Sequence, residues 1–183
     1  PDPNKGYARD LTYANTSFGQ GMTATPLQMA AAFSAMLNGG TYYQPRLVDQ
    51  FISANGSVKT VQPKVLKAGV VSSKVSQEMR PLLEYVLEKH RLKPPFDQNV
   101  YRVGGKTGTA QIADPSGAGG YKEHDFNGTY LGFVGGDQPQ YVVMVRVNEP
   151  KIGGYAGGAA TQPIFGTIGH MLIDNFGVTP RGR

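Results

Sequence analysis

Apolar positions in this chain fall into segments of two periods, separated by stretches dense in glycine, proline and asparagine. From Thr25 the period is helical: Leu27, Ala30, Ala31, Phe33, Ser34 and Leu37 follow one another with mostly small side chains. Thr25-Pro26-Leu27-Gln28 reads as a capping box with proline at the first helical position; Thr25 accepts from the Gln28 amide and Gln28 reaches back. Asn38-Gly39-Gly40 stops the helix, because glycine takes the left-handed cap conformation without strain. Residues 1–24, rich in Gly, Asn, Thr and Ser, predict an irregular entry. Residues 42–52 and 57–61 predict two strands joined at Asn55-Gly56, a strong hairpin signal. A second helix is predicted over residues 73–89, where Val75, Met79, Leu82, Leu83, Val86 and Leu87 share one face. Pro81 inside it predicts a kink or a restart.

The period then switches to that of strands. Residues 101–112, 129–135 and 140–148 predict three strands with short links, and Tyr141-Val142-Val143-Met144-Val145-Arg146-Val147 reads as a buried central one. Residues 113–128 predict a loop longer than most connections in compact domains, which favours a functional role. A second Gly-rich stretch, Gly153-Gly154-Tyr155-Ala156-Gly157-Gly158, precedes a last helix over residues 161–176, with Ile164, Ile168, Met171, Leu172 and Phe176 on one face. Helix, hairpin, helix, three-strand meander and helix make an α+β chain, an antiparallel sheet flanked by helices.

Composition narrows the function classes. With 183 residues the chain has the length of one ordinary domain, and 39% hydrophobic residues argue against disorder. The longest apolar stretch, residues 29–37, is far short of the ~20 residues of a bilayer span. Pro1-Asp2-Pro3-Asn4 leads into no apolar segment, so no signal peptide is expected. With no cysteine, disulfides, thiolate zinc sites and a cysteine nucleophile are excluded. The net charge of +5 comes from scattered Lys and Arg with no basic-aromatic stripe, so no nucleic-acid partner is expected. No metal and no cofactor are expected either: His124-Asp125 reads as a solvated pair, and His90 and His170 have no second ligand one turn on. Glu84 and Glu88 read as a solvated helix face.

The segment that asks for a chemical account is Gly104-Gly105-Lys106-Thr107-Gly108-Thr109-Ala110-Gln111. A phosphate-binding loop would carry its lysine between a longer Gly-rich loop and a helix; here a strand continues. What remains is a strand edge with a cation, two hydroxyls and side-chain-free glycine, suited to an extended anionic substrate laid along it. The hydroxyls and the ammonium can bind a carboxylate, and a free backbone N–H can face a developing oxyanion. On the tripeptide alone, a Gly-rich strand turn with a solvated lysine is the better account, because Lys-Thr-Gly recurs by chance.

The surroundings are more specific. Ser17-Phe18-Gly19-Gln20-Gly21, then Thr25-Pro26-Leu27-Gln28-Met29-Ala30 and Asn38-Gly39-Gly40, resemble the class B penicillin-binding proteins, the D,D-transpeptidases of peptidoglycan synthesis. Tyr130-Leu131-Gly132-Phe133-Val134-Gly135, Glu149-Pro150-Lys151 and Gly157-Gly158-Ala159-Ala160-Thr161-Gln162-Pro163-Ile164-Phe165 match in order and spacing, so the resemblance covers nearly the whole chain. Phe18 and the Gly-Lys-Thr-Gly-Thr-Ala-Gln stretch are more similar to the division-associated branch than to the elongation branch. The family uses S-x-x-K, S-x-N and K-T-G motifs. No serine here has lysine three residues later, and Ser53-Ala54-Asn55 falls at the hairpin turn, downstream of where the family places S-x-N. The resemblance therefore implies that residues 1–183 are the C-terminal half of a single transpeptidase domain, part of a penicillin-binding transpeptidase or serine β-lactamase-like fold. The other half, carrying S-x-x-K and S-x-N, would be its partner.

The same resemblance implies the roles. Lys106 and Thr109 are the catalytic candidates. Gly105, Thr107, Gly108, Thr109, Gln111 and Tyr155 are the substrate-binding ones. Lys106 would supply positive charge and bond the serine of S-x-N. The Thr107 and Thr109 hydroxyls would bind the donor's terminal carboxylate, and the Thr109 N–H would form half of the oxyanion hole. Gly105 and Gly108 would keep the strand open. Tyr155 is either a mobile aromatic flap or the anchor of a flexible loop. The implied ligands are a D-Ala-D-Ala stem peptide and β-lactams, and the implied partners a membrane glycosyltransferase and other division proteins. The implied location is the cell envelope, with the full-length protein anchored by an N-terminal segment. A non-catalytic penicillin-binding scaffold and a serine β-lactamase are the alternatives; Ser-Phe-Gly-Gln-Gly and the later Gly-Gly-Ala-Ala argue against the second.

Overall fold

The capping box forms as its residue types dictate: the Gln28 amide donates to Thr25 Oγ1 (3.2 Å), and the Thr25 amide to Gln28 Oε1 (2.9 Å). It opens helix α2 (Pro26–Leu37), which buries Phe33, Ala35 and Leu37. The computed structural model describes residues 6–92, 95–114, 116, 120–151 and 156–182. Before α2, a helix α1 (Gly6–Ser17) replaces the irregular entry expected from composition. Its Leu11 and Tyr13 stay exposed, so no apolar stripe marked it.

The predicted long strand over residues 42–52 breaks into β1 (Tyr42–Tyr43) and β2 (Gln50–Ile52). β2 pairs with β3 (Val58–Thr60), and β1 with β4 (Val65–Lys67), a strand the pattern did not announce. The hairpin turn is one residue off the expected one. Gly56 N–H donates to Ser53 O, which puts Ala54 and Asn55 at the centre of the turn and leaves Gly56 at φ +81°. Ser53-Ala54-Asn55 is thus turn structure.

Helix α3 (Ser73–His90) is capped by Ser72 and runs through Pro81. Its buried face is Ser76, Leu83 and Leu87; Val75 and Leu82, expected inside, are exposed. Ser76 takes the inner position because its hydroxyl accepts from the Gly39 N–H at the end of α2. Glu84 also faces inward and binds Arg102 at 3.3 Å and Arg181 at 3.1 Å, correcting its reading as a solvated residue.

The main sheet is an antiparallel meander of β5 (Arg102–Ala113), β6 (Tyr121–Gly135) and β7 (Pro139–Asn148), in that order. β6 starts eight residues before its predicted position, inside the expected loop. Its first residues, Tyr121–Asp125, pair with β5 up to Ala113 across an irregular register, lie outside the core and show no apolar alternation; Phe126 is the first buried one. The central strand is β6; the valine-rich β7 lies at the edge of the described sheet. Helix α4 (Gly157–Asn175) starts four residues earlier than expected, and Ile164, Met171 and Phe176 are exposed while Ala160, Thr161, Phe165 and Leu172 are buried.

Alternation along the strands assigns two faces. Val103, Gly105, Thr107 and Thr109 share one with Val134, Gly132, Tyr130 and Gly128 opposite them. Phe165 of α4 packs there at 4.5 Å from the Tyr130 ring, in a cluster with Leu87, Val103, Val134, Val143 and Val145. On the other face Phe133 packs with Phe33, Leu37 and Leu83 from α2 and α3. α3 thus feeds both clusters from beside β5.

Candidate active site

β5 carries the candidate residues in one extended run, because strand geometry places Lys106 and Gly108 on the α2–α3 side and Thr107, Thr109 and Gln111 on the α4 side. Lys106 is exposed. Its ammonium folds over its own strand, donating to the Thr107 carbonyl oxygen at 3.0 Å and to the Thr107 hydroxyl at 3.3 Å. The cation and the first hydroxyl are therefore held together at the strand surface. Thr109 lies opposite Gly128, and its hydroxyl oxygen accepts from the Gly157 N–H at 3.0 Å. Gln111 lies opposite Phe126, where the register turns irregular. Tyr155, with Gly153 and Gly154, lies outside the described residues.

Gly105 has a structural reason that the sequence did not disclose. It is buried, and a Cβ on it would stand 2.5 Å from Tyr130 Cε1 and 2.9 Å from the Leu131 carbonyl oxygen. The missing side chain leaves room for the Tyr130 ring beneath the strand, so the Cα of Gly105 faces the core. Gly108 is half-buried, with the Thr129 hydroxyl standing where its side chain would be.

Two buried polar groups lie under this strand. The Tyr130 hydroxyl has no hydrogen-bond partner among the described residues, and burial raises its pKa well above the ordinary phenol value. His90, at the end of α3, presents its ring edge-on to Tyr130 at 5.9 Å, with Nδ1 buried and unpartnered. Burial first, and the Lys106 ammonium second, hold its pKa below the ordinary imidazole value.

Residues that sequence reasoning missed cluster at the far end of the β5–β6 hairpin. Lys122 binds Asp125 at 3.2 Å and Glu149 at 3.1 Å. Glu149 adopts φ +46°, and its N–H donates to the Phe126 carbonyl. Gly157, at the other end of the β7–α4 link, donates to Thr109. Alternating charge over residues 122–125 was the one sequence signal for the first tie; a backbone donor leaves none for the second. His124 lies beside Glu123 in solvent. Among the described residues no three or more metal-ligating side chains gather. A cavity of about 320 Å³, lined by Ser34, Leu37, Arg80, Gln138, Tyr141 and Val142 among others, sits at the β6–β7 turn and takes no residue from β5.

The model of the penicillin binding protein transpeptidase domain matches residues 1–170. Stage V sporulation protein D of Bacillus subtilis (strain 168) is 39% identical over 170 residues, which are 92% of this chain and 26% of that protein. Peptidoglycan D,D-transpeptidase FtsI of Escherichia coli (strain K12) is 27% identical over 182 residues, 97% of this chain and 28% of that one. The crystal structure of penicillin binding protein 3 from Mycobacterium tuberculosis complexed with ampicillin superposes with a TM-score of 0.75 at 28% identity, over 94% of this chain and 39% of that chain. This chain thus spans about a quarter of the curated relatives it matches. An antiparallel meander with its Lys-Thr-Gly-Thr run on an edge strand, helices on both faces and a family match over residues 1–170 have one reading: the chain belongs to the penicillin binding protein transpeptidase domain family.

Proposed function

We propose that this chain contributes the Lys-Thr-Gly strand of a peptidoglycan D,D-transpeptidase and that a serine nucleophile comes from a preceding part of the same domain. The observation that carries the reading is the run Lys106, Thr107, Thr109 on an edge strand, with the ammonium gathered onto the Thr107 oxygens and, among the described residues, no other strand on the outer side of β5. Two hydroxyls and a cation on one extended segment suit a C-terminal carboxylate of a peptide laid along it.

In this reading the serine oxygen attacks the carbonyl of the penultimate D-alanine. The peptide C–N bond breaks, and D-alanine leaves with a proton on its nitrogen. An amine of a neighbouring stem peptide then attacks the ester carbonyl, the C–O bond to the serine breaks as the new amide forms, and the amine's surplus proton goes to the serine oxygen. Lys106 stabilises negative charge and orients the middle-motif serine. Thr107 and Thr109 hold the carboxylate, and the Thr109 N–H donates to the oxyanion. β-Lactams enter as mimics of the donor, a reading supported by the ampicillin complex of the Mycobacterium tuberculosis relative. The complete protein would act in the cell envelope, beside a membrane glycosyltransferase and other division proteins.

The test is acylation of the complete protein by a labelled penicillin. Covalent labelling at a serine outside residues 1–183, with D-alanine released from a D-Ala-D-Ala donor, is the expected result. Labelling without D-alanine release leaves a penicillin-binding scaffold. Absence of labelling removes the proposal.

A further inference from the structure

Helix α4 begins without a cap of its own. Its N-cap residue, Ala156, offers no side-chain acceptor, and first-turn N–H groups otherwise go unpaired. The Gly157 N–H finds its acceptor on another element, Thr109 Oγ1, at 3.0 Å.

This contact is built from both sides. Gly128, opposite Thr109 on β6, leaves the space the helix start occupies: a Cβ there would stand 2.9 Å from the Gly157 oxygen and 3.0 Å from its Cα. A Cβ on Gly157 would overlap the Gly108 carbonyl oxygen. Thr161, fully buried one turn on, brings its hydroxyl within 2.9 Å of the Gly157 carbonyl and 3.3 Å of the Thr129 carbonyl. Notch and hydroxyl together fix the first residue of α4 against the strand.

A threonine hydroxyl has one proton and two lone pairs. Gly157 takes one lone pair, and the proton is left to donate away from the helix. A hydroxyl that accepts from an N–H at the positive end of a helix is a stronger donor, because the bonds in such a chain polarise one another.

We propose that Thr109 is the N-cap of α4 in trans, and that the Gly157 N–H to Thr109 O–H relay orients and strengthens this hydroxyl as a donor to a ligand carboxylate. The inference rests on reading β5 as a carboxylate-binding strand. Gly128, Gly157 and Thr161 act through Thr109 and are positioning residues.

The experiment uses the complete protein, with benzylpenicillin and its methyl ester as probes, and reads the ratio of their second-order acylation rates. Gly128→Ala pushes the helix start off Thr109. It should lower the acid-to-ester ratio about fivefold, while the ester rate stays within about twofold. Thr161→Val keeps the buried volume and should lower the ratio in the same direction; it carries the test if Gly128→Ala does not fold. Amide exchange gives a readout independent of acylation: the Gly157 amide should lose protection in Thr109→Val and keep it in Thr109→Ser. Equal losses for acid and ester, an unchanged ratio, or unchanged Gly157 protection in Thr109→Val would overturn the inference. A wild-type protein acylated equally fast by acid and ester would instead overturn the carboxylate reading of β5.

Discussion

Lys106 holds its ammonium against the Thr107 oxygens, so removing it takes away both a charge and the partner of a hydroxyl. Two unit charges ~4 Å apart interact by about 4 kcal/mol at an effective dielectric near 20. Losing part of that predicts that Lys106→Ala in the complete protein slows penicillin acylation by roughly 10²-fold or more, read from second-order labelling rates. Beneath the strand, Tyr130 carries a buried hydroxyl without a partner among the described residues. Tyr130→Phe keeps the ring and removes the unpaired group, so it should raise the melting temperature, by the equivalent of about 1 kcal/mol. Gly105→Ala should do the opposite, since its methyl meets the same ring and a backbone carbonyl. The cost of such overpacking is about 1–3 kcal/mol. Lys106, Thr107 and Thr109 stood out in the sequence because a cation and two hydroxyls on one extended run are visible as residue types, and the structure places the run on one strand. The packing reason for Gly105 was not legible, because the space it leaves is occupied from another strand, information no local pattern holds.

One helix betrayed its start by its side-chain cap. Thr25 announced α2, and α3 showed itself by its apolar period alone, whereas α4 was placed too late because its first N–H bonds to β5. The capping box predicts that Thr25→Ala costs about 1 kcal/mol and Thr25→Ser little, read from denaturant midpoints. At the end of α3, His90 has a native pKa below its unfolded value, so the unfolded chain takes up the proton first. Stability should therefore fall as pH drops through about 6.5 toward the depressed native value. The neutral His90→Gln variant should lose that part of the acid-side slope in thermal melts of the complete protein. An unchanged slope would mean that folding leaves the His90 pKa at its unfolded value. The early half of β6 escaped notice for a different reason: a two-stranded arm with solvent on both faces has no apolar period to read.

For the molecule as a whole, α+β class, meander and flanking helices followed from the alternation of periods, and sheet order did not. β7 read as central because valines dominate it, yet among the described residues it has a neighbour on one side. An edge so rich in valine is an aggregation liability unless another strand covers it. Phe18, Met22 and Leu27 near α2, and Ile164, Met171 and Phe176 on α4, are also exposed. We take these surfaces as support for the proposal that residues 1–183 complete their core against a preceding half-domain. Isolated residues 1–183 should then bind a hydrophobic dye and melt without a sharp transition, and co-expression with the preceding half should restore a cooperative one. A sharp monomeric melt of the isolated chain would count against it.

The crowding of backbone around Gly105, Gly128 and Gly157 also bears on how a lineage can adapt. At these three positions any side chain would strike a neighbouring ring or main chain, so no single-codon change is free. A population selected against an inhibitor bound along β5 would have to change elsewhere, in the links outside the sheet. In a selected library Gly105 and Gly157 should remain glycine while surviving substitutions gather beyond them.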